Sequence, residues 1–158
     1  MSPLLELAKT AFGERIVDAH SYRGDDTILI RREDLLEVAK HLKEDPDFDF
    51  QVLLDLTVVD YPEEEERFEV VYHFLSLRKN HRFRLKTRVR EEDPEVDSLV
   101  DLWPGANWLE REAWDMFGVR FKGHPELTRI LMYEEFEGHP LRKDYPYQKR
   151  QPLIGPKN

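Results

Sequence analysis

The sequence contains no cysteine, and this absence excludes several kinds of site at once. Its 158 residues cannot form a disulfide, a thiolate zinc site or a Cys-ligated iron–sulfur cluster, and they offer no thiol nucleophile. A chain of this length can bury roughly two-thirds of its unfolded surface in a single domain, so a core needs no covalent or metal cross-link. The absence of cysteine fits both oxidising and reducing compartments.

Long hydrophobic runs are also missing. No segment approaches the roughly 20 apolar residues that span a bilayer, and charged residues make up 36% of the chain. The first seven residues have no basic region, and they are too acidic and too poor in arginine for a transit peptide. We therefore expect a cytosolic protein as synthesised. The net charge of -9 argues against nucleic acid as the main partner.

The charge is unevenly distributed along the chain. Residues 118–158 hold eight of the 24 Lys and Arg residues but only five of the 33 acids, so this segment is basic within an acidic chain. It also holds four of the seven glycines and five of the ten prolines. This pattern predicts a globular domain over residues 1–118 and an extended, basic, Pro/Gly-rich tail over 119–158. Because the tail has too few apolar residues to fold alone, we expect it to become ordered by docking on a partner subunit.

Hydrophobic periodicity predicts an α+β fold in which helices pack on a mixed, mostly antiparallel sheet in two layers, followed by the extended tail. Helical spacing indicates two early helices, and Val-rich or alternating segments indicate five strands, the last three of them as a meander. The predicted helices cover 4–12 and 33–42, and the predicted strands cover 15–20, 27–31, 51–60, 67–77 and 81–90.

Two more helices are predicted after the meander, which gives the order α-β-β-α-β-β-β-α-α. Asp93-Pro94 has the residue types of a helix start, and Val96, Leu99 and Trp103 follow at helical spacing. Asn107 with Glu110 resembles a capping box, and Gly118 ends this fourth helix.

The strand predicted at 81–90 has five cations on one face, at positions 82, 84, 86, 88 and 90. One interpretation is a surface that binds phosphates or acids. The interpretation we favour is a solvated face that pairs with acids on neighbouring strands, such as Glu69 and Asp55.

The predicted fourth helix has charged and aromatic residues on several sides. Arg111 and Asp115 stand four residues apart and are therefore expected to pair on the helix surface. A helix with charged residues in its first turns, which is common, would explain these charges. The tryptophans at 108 and 114 in addition indicate contacts on more than one side of the helix.

The tripeptide Gly-His-Pro occurs twice, at 123–125 and 138–140, and each copy predicts a defined bend that presents an imidazole. A metal site would use His124 and His139, with Asp144 as a further candidate ligand, because imidazole and carboxylate suit zinc or iron. The spacing matches no metal motif, so bends in a docked tail are the favoured interpretation. The sequence has no Walker loop, no Gly-rich dinucleotide turn and no nucleophile elbow.

Three segments together resemble a known family: EREAWDMFG at 110–118, GHPELTRIL at 123–131 and GHPLRKDYP at 138–146. The resemblance is to the 30 kDa subunit of respiratory complex I, the proton-translocating NADH:quinone oxidoreductase. Thr128 stands where this family usually has a basic residue, and Arg129 is the nearest substitute.

The resemblance implies an accessory subunit of the peripheral arm that braces the large quinone-site subunit. It implies that this chain has no catalytic residue, metal or cofactor of its own, and that NADH, FMN, iron–sulfur clusters and quinone belong to other subunits. The isolated chain is then expected to have no activity. The interface residues that the resemblance implies are Glu110, Arg111, Glu112, Trp114, Asp115, His124, Pro125, Arg129, His139, Pro140, Arg142, Lys143, Asp144 and Tyr145.

The resemblance also implies a peripheral position on the cytoplasmic face of a bacterial or archaeal membrane, held there only through partner subunits. Relatives serve membrane-bound hydrogenases and F420 or plastoquinone dehydrogenases, and these remain alternatives. An alternative of a different class is a free-standing metal-dependent enzyme that uses His124 and His139. In the isolated chain we expect Arg142 and Tyr145 to be exposed, as contacts for a partner.

Overall fold

The computed structural model describes residues 2–155 and confirms the α+β class. Residue 1 of the predicted domain and residues 156–158 of the predicted tail lie outside this range. Among the described residues there are three α-helices, α1 (Pro3–Phe12), α2 (Leu35–Glu44) and α3 (Ala106–Phe117). The strands are β1 (Ile16–Tyr22), β2 (Asp25–Ile30), β3 (Val52–Asp60), β4 (Phe68–Ser76), β5 (His81–Val89), β6 (Glu95–Asp97) and β7 (Arg120–Lys122).

Five strands form one mixed sheet in the spatial order β1-β2-β5-β4-β3. The predicted meander is confirmed, because β4 pairs antiparallel with both β3 and β5. The β1–β2 hairpin turns at Arg23 and Gly24, which both have positive φ, as a two-residue hairpin loop of type I′ requires. β2 and β5 are parallel, and the chain that connects them contains α2.

A single hydrophobic cluster joins this sheet to the helices. It contains Phe12 of α1, Leu42 of α2 and Phe74 of β4, each at most 4% exposed. The indole of Trp103 packs 4.8 Å from the Phe74 ring, and its Nε1 donates to the carbonyl of Phe50. None of the described helices is both long and apolar enough to cross a membrane.

The cations of β5 lie beside acids of neighbouring strands. Lys86 Nζ is 3.0 Å and Arg88 Nε 2.9 Å from the carboxylate of Glu69, as the favoured interpretation predicts. Arg84 lies 3.8 Å from Asp25, an acid that the sequence analysis did not name. Glu65 also pairs with Arg90, so three carboxylates of the chain pair with four of the five cations.

The helix predicted to begin at Asp93 is wrong. Residues 95–97 form β6, which pairs in parallel with β7, and Val96 lies opposite Phe121. The next residues turn, with Trp103 N–H donating to Leu99 O at 2.9 Å. Val96, Leu99 and Trp103 are spaced as on one face of a helix, but here β6 and the following turns bury these side chains without a helix. The partner that makes 95–97 a strand stands more than 20 residues away in the sequence, beyond the reach of a local pattern.

The packing continues past the domain boundary predicted at residue 118. Val119 and Phe121 belong to the hydrophobic core, with 0% and 3% exposure, and β7 completes the pair with β6. The boundary itself stays a prediction, but the first residues of the predicted tail are part of the folded domain.

Candidate functional site at the end of helix α3

The carbonyl groups at the C-terminal end of α3 accept hydrogen bonds from the tail. The last four carbonyls of a helix have no partner within the helix itself. Here Gly118 N–H donates to Trp114 O in a C-cap, and the tail supplies the other donors. These are His139 Nδ1 and Arg129 Nη1 to Asp115 O (3.1 and 3.3 Å), Leu141 N to Met116 O (3.1 Å) and Arg142 Nε to Phe117 O (2.6 Å).

Gly118 makes this close approach possible. Its φ of +81° lies in the left-handed region, where glycine is favoured. A Cβ at this position would stand 2.6 Å from Arg142 Nη2 and 2.7 Å from the His139 ring. The second Gly-His-Pro bend therefore rests directly on the helix end. His139 is half-buried against the edge of Trp114, 5.2 Å between ring centroids, and burial lowers the pKa of its imidazole.

Asp115 organises the segment that follows the first Gly-His-Pro bend. Its carboxylate is fully buried; Oδ1 accepts from Arg129 Nη1 at 2.7 Å, and Oδ2 accepts from three consecutive backbone N–H groups. Burial would raise the pKa of Asp115, but these four hydrogen bonds outweigh it and hold the pKa below its ordinary value. The three backbone donors are Ile130 (3.0 Å), Leu131 (2.7 Å) and Met132 (2.9 Å).

The predicted ion pair between Arg111 and Asp115 is therefore wrong, because Asp115 binds Arg129. Arg111 turns to the tail instead, donating to Thr128 O at 3.1 Å and Thr128 Oγ1 at 3.0 Å, with its guanidinium over the ring of Trp108. Thr128, the departure from the family pattern, thus contributes a hydrogen bond of its own. Arg129 also donates to the carbonyls of Phe136 and Gly138, both at 2.9 Å.

Glu110 is buried within the chain, and both of its carboxylate oxygens accept hydrogen bonds from residues after β6. Its Oε2 accepts from Ser98 Oγ at 2.6 Å and its Oε1 from Leu99 N–H at 2.7 Å, which ties α3 to the turn after β6. Burial raises the pKa of Glu110 to about 7, against the opposing effect of both hydrogen bonds. The capping box predicted at Asn107 is wrong, since the helix begins after Gly105 without a side-chain cap.

The two histidines do not form a ligand pair for a metal. His124 Nδ1 accepts from Glu126 N–H at 3.0 Å and its Nε2 donates to Asn107 O at 3.1 Å, so both ring nitrogens are occupied by backbone groups. Nowhere in residues 2–155 do three His, Asp or Glu side chains come together in a way that could hold a metal ion. The arrangement therefore gives the metal-enzyme alternative no support.

Asp144 of the tail joins a cluster of charged side chains that the sequence alone did not reveal. Asp144 Oδ1 lies 2.9 Å from Arg67 Nη2, and Arg67 in turn binds Asp60 through two parallel hydrogen bonds of 2.7 and 2.9 Å. Arg67 and Asp60 stand at facing ends of β4 and β3. Arg67 is the first residue of the strand predicted over 67–77, and an arginine at such a position is usually exposed. No local pattern in the sequence therefore indicates that its side chain is buried.

The other residues predicted to lie at the partner interface are either half-buried or exposed. The expectation that Arg142 is exposed is wrong, because its side chain is only 21% exposed and its guanidinium also lies over the ring of Phe68. Tyr145 is half-buried and stacks on Phe136, with ring centroids 6.0 Å apart. Pro140 is half-buried, whereas Glu112, Pro125 and Lys143 are exposed.

Several apolar side chains are exposed in the first turn of α3 and along the tail. They are Trp108 (61%), Leu131 (58%), Leu141 (52%) and Tyr147 (90%). Cations at positions 143, 149 and 150 are exposed in the same tail. We call this set of apolar and basic groups the docking face.

Comparison with known proteins gives a consistent result. The family model described as "Respiratory-chain NADH dehydrogenase, 30 Kd subunit" matches residues 28–151. An NADH-quinone oxidoreductase subunit of Citrifermentans bemidjiense is 46% identical over 149 residues, covering 93% of this chain and 91% of that protein. The subunit of the same name in Roseiflexus castenholzii is 48% identical over 143 residues, covering 90% and 82%.

Two solved structures share the fold. The trypsin-resistant fragment (1–134) of Nqo5 superposes with a TM-score of 0.70 at 34% identity, covering 78% of this chain and 98% of the fragment. A chain of the membrane-bound sulfane sulfur reductase, an archaeal respiratory membrane complex, superposes with a TM-score of 0.77 at 24% identity, covering 90% and 85%. At that identity the second likeness concerns the fold alone.

Proposed function

The chain belongs to the family of the 30 kDa subunit of respiratory-chain NADH dehydrogenase, and from this membership we propose that it is a non-catalytic subunit that braces the quinone-site subunit in NADH:quinone oxidoreductase. The observation that carries the proposal is how the motif residues are used. The buried Glu110 and Asp115 and the half-buried Arg129 are each bound to groups of this chain, and their hydrogen bonds hold the tail or α3 in place. A scaffold needs such bonds, whereas a reaction centre needs charged groups that reach a substrate.

The docking face supports a protein partner for this scaffold. Exposed tryptophan, tyrosine and leucine side chains are typical anchors of protein interfaces, although leucine is a weaker one. The exposed cations of the same tail favour a partner whose facing surface carries acidic as well as apolar groups. We assign the large quinone-site subunit to this face.

The rest of the proposal concerns the assembled enzyme. NADH, FMN, the iron–sulfur clusters and quinone would be bound by other subunits, and this chain would sit peripherally on the cytoplasmic face of the membrane through its partners. Its relatives named as NADH-quinone oxidoreductase subunits favour NADH as the electron donor over hydrogen or F420. Electron transfer from NADH to quinone, coupled to proton translocation, would then be a property of the complex.

The test is co-purification with the large quinone-site subunit. The double substitution Leu131→Ser and Leu141→Ser removes two apolar groups of the docking face that are already exposed. We expect recovery of the partner to fall at least about tenfold, because the interface loses the burial of two leucine side chains. The melting temperature of the isolated chain should stay unchanged, because neither side chain is buried in it.

Leu77→Ser is the matched control, since Leu77 is 67% exposed in the turn after β4 and lies outside the docking face. It should leave partner recovery unchanged. Equal recovery for the double variant and the unaltered chain would contradict the assigned face. Failure of the unaltered chain to bind the large subunit at all would contradict the proposed function.

A further inference from the structure

A buried arginine outside the family motif joins the tail to the sheet. Arg67 is the residue before β4, its side chain is 6% exposed, and its guanidinium touches three carboxylates from three separate parts of the chain. Asp60 lies 2.7 Å from Nε, Glu91 Oε2 lies 3.1 Å from Nη1, and Asp144 Oδ1 lies 2.9 Å from Nη2. Only the last of these comes from the tail.

The sheet binds the tail backbone at the same place. Asp60 Oδ2 accepts from the N–H of Lys143 at 2.7 Å, next to its hydrogen bond with Arg67. The tail neighbour Arg142 lies over Phe68 and donates to Phe117 O, so residues 142–144 contact β3, β4 and the end of α3 together. Hydrogen bonds between ionised groups are the strong ones among protein hydrogen bonds. Arg67 and Asp60 are buried, whereas the side chain of Asp144 is 62% exposed, so water weakens the pair between Asp144 and Arg67.

Arg67 suits this role because of its fork of donors. A guanidinium offers five N–H groups in one plane, enough to hold Asp60 on one side and Asp144 on another, which a lysine ammonium cannot reproduce. The hydrogen bonds that Arg67 donates to Asp60 and Asp144 raise the pKa of its guanidinium above the ordinary value, so it stays charged at every relevant pH. Arg67 and Asp60 already neutralise each other. Asp144 binds to this existing ion pair, so loss of the tail contact leaves no buried charge unpaired.

We propose that Arg67 is the positioning residue that holds residues 139–146 closed on the domain in the unbound chain, so that a partner meets Leu141 and Lys143 of the docking face already in place. This differs from the expectation that the tail becomes ordered only by docking. A preformed surface avoids the ordering cost that a disordered segment meets on binding. The inference concerns the isolated chain, and it rests on the proposed function only for the identity of what binds.

Limited trypsin digestion and amide hydrogen exchange of the isolated chain test this. In the unaltered chain, trypsin should cut after Lys149 and Arg150 before it cuts after Arg142 and Lys143. The first two sites are exposed and make few contacts with the domain, whereas residues 142 and 143 are bound to it. The amides of Leu141 and Lys143 should be protected from exchange, since both donate to the domain.

Asp144→Ala is the informative variant, because it removes the tail carboxylate and leaves Arg67 paired with Asp60. We expect cleavage after Arg142 and exchange at Lys143 to become about three- to tenfold faster, because a two-point ion pair is lost whose arginine is buried and whose carboxylate is partly screened by water. Cleavage after Lys149 should keep its rate and serves as the internal control. Asp101→Ala, at an exposed aspartate in the turn between β6 and α3, makes the same charge change and should alter neither rate.

Arg67→Lys tests the fork of donors directly. It keeps the charge but cannot hold both carboxylates, so we expect faster cleavage after Arg142, with the folded state confirmed by an unchanged circular dichroism spectrum. The proposal is overturned if trypsin cuts the unaltered chain after Arg142 as fast as after Arg150, or if Asp144→Ala behaves like Asp101→Ala. A tail that closes in this way, in a chain that fails to bind the large subunit, would overturn the proposed function alone.

Discussion

At the scale of single residues, the buried carboxyl of Glu110 links the stability of the fold to pH. Burial raises the pKa of Glu110 from 4.5 to about 7, and the buried Tyr72 is an ionisable group that interacts with it. The unfolded chain therefore releases this proton at a lower pH than the folded chain. The protonated Glu110 therefore contributes its full stabilisation of the folded state below about pH 4.5, and this contribution is lost as the pH rises through 7.

The variant Glu110→Gln removes this titration. Between pH 5 and pH 8, we expect the free energy of unfolding to shift in favour of the variant, relative to the unaltered chain, by about 2–3 kcal/mol. Glu112→Gln, an exposed carboxyl on the same helix, should show no such shift. Urea unfolding at the two pH values measures both differences. A Glu110→Gln difference that is independent of pH would show that Glu110 titrates as it does in the unfolded chain.

At the scale of elements, α3 ends where it does because Gly118 can adopt a left-handed conformation and allow the tail to approach. Gly118→Ala would strain the backbone and push its Cβ into Arg142 and His139, so we expect a loss of about 2 kcal/mol or more of stability. Gly105→Ala at the other end of α3 is the control: its φ is -62° and no atom stands within 4 Å of the new Cβ. Thermal unfolding should show Gly105→Ala unchanged or slightly stabilised, and equal losses in both variants would contradict the role of Gly118.

Long periodic elements could be predicted from the sequence, and short ones could not. α2 and strands β3–β5 lie close to the predicted positions. The helical spacing of apolar residues continues through the ten residues of α2, and each of these strands carries its apolar pattern over nine residues. Residues 95–97 were assigned to a helix because their strand character depends on β7, which no local pattern reveals. The pairs Arg111–Asp115 and Asn107–Glu110 failed for a related reason: helical spacing permits them, but the tail and the turn after β6 offer these side chains better partners.

At the scale of the whole molecule, the tail and α3 depend on each other. A chain that ends after Phe121 keeps the five-stranded sheet, α1 and α2, so we expect it to unfold cooperatively at a lower temperature than the full chain. Asp115→Asn should cost about 2–3 kcal/mol in the full chain, where the carboxylate holds Arg129 and three backbone amides. In the shortened chain those donors are gone and the same substitution should cost less than about 1 kcal/mol.

Urea unfolding of the four proteins gives the coupling between Asp115 and the tail. An equal cost in both chain lengths would show that Asp115 acts within the helix and not through the tail. A shortened chain without a cooperative transition would show that the tail completes the core, and that the domain boundary predicted near residue 118 is misplaced.

Composition, periodicity and contiguous motifs were enough to establish the α+β class, the sheet strands, the absence of thiol chemistry and, through the segments at 110–118, 123–131 and 138–146, the family. These are local properties of the chain, so no folded structure is needed to read them. The folded chain was needed to learn that Glu110 and Asp115 are buried, that Arg142 caps a helix, and that Arg67 holds Asp144. Each of these depends on contacts between residues 11 to 77 positions apart, and the burial of a charge is set by what the distant chain brings to it.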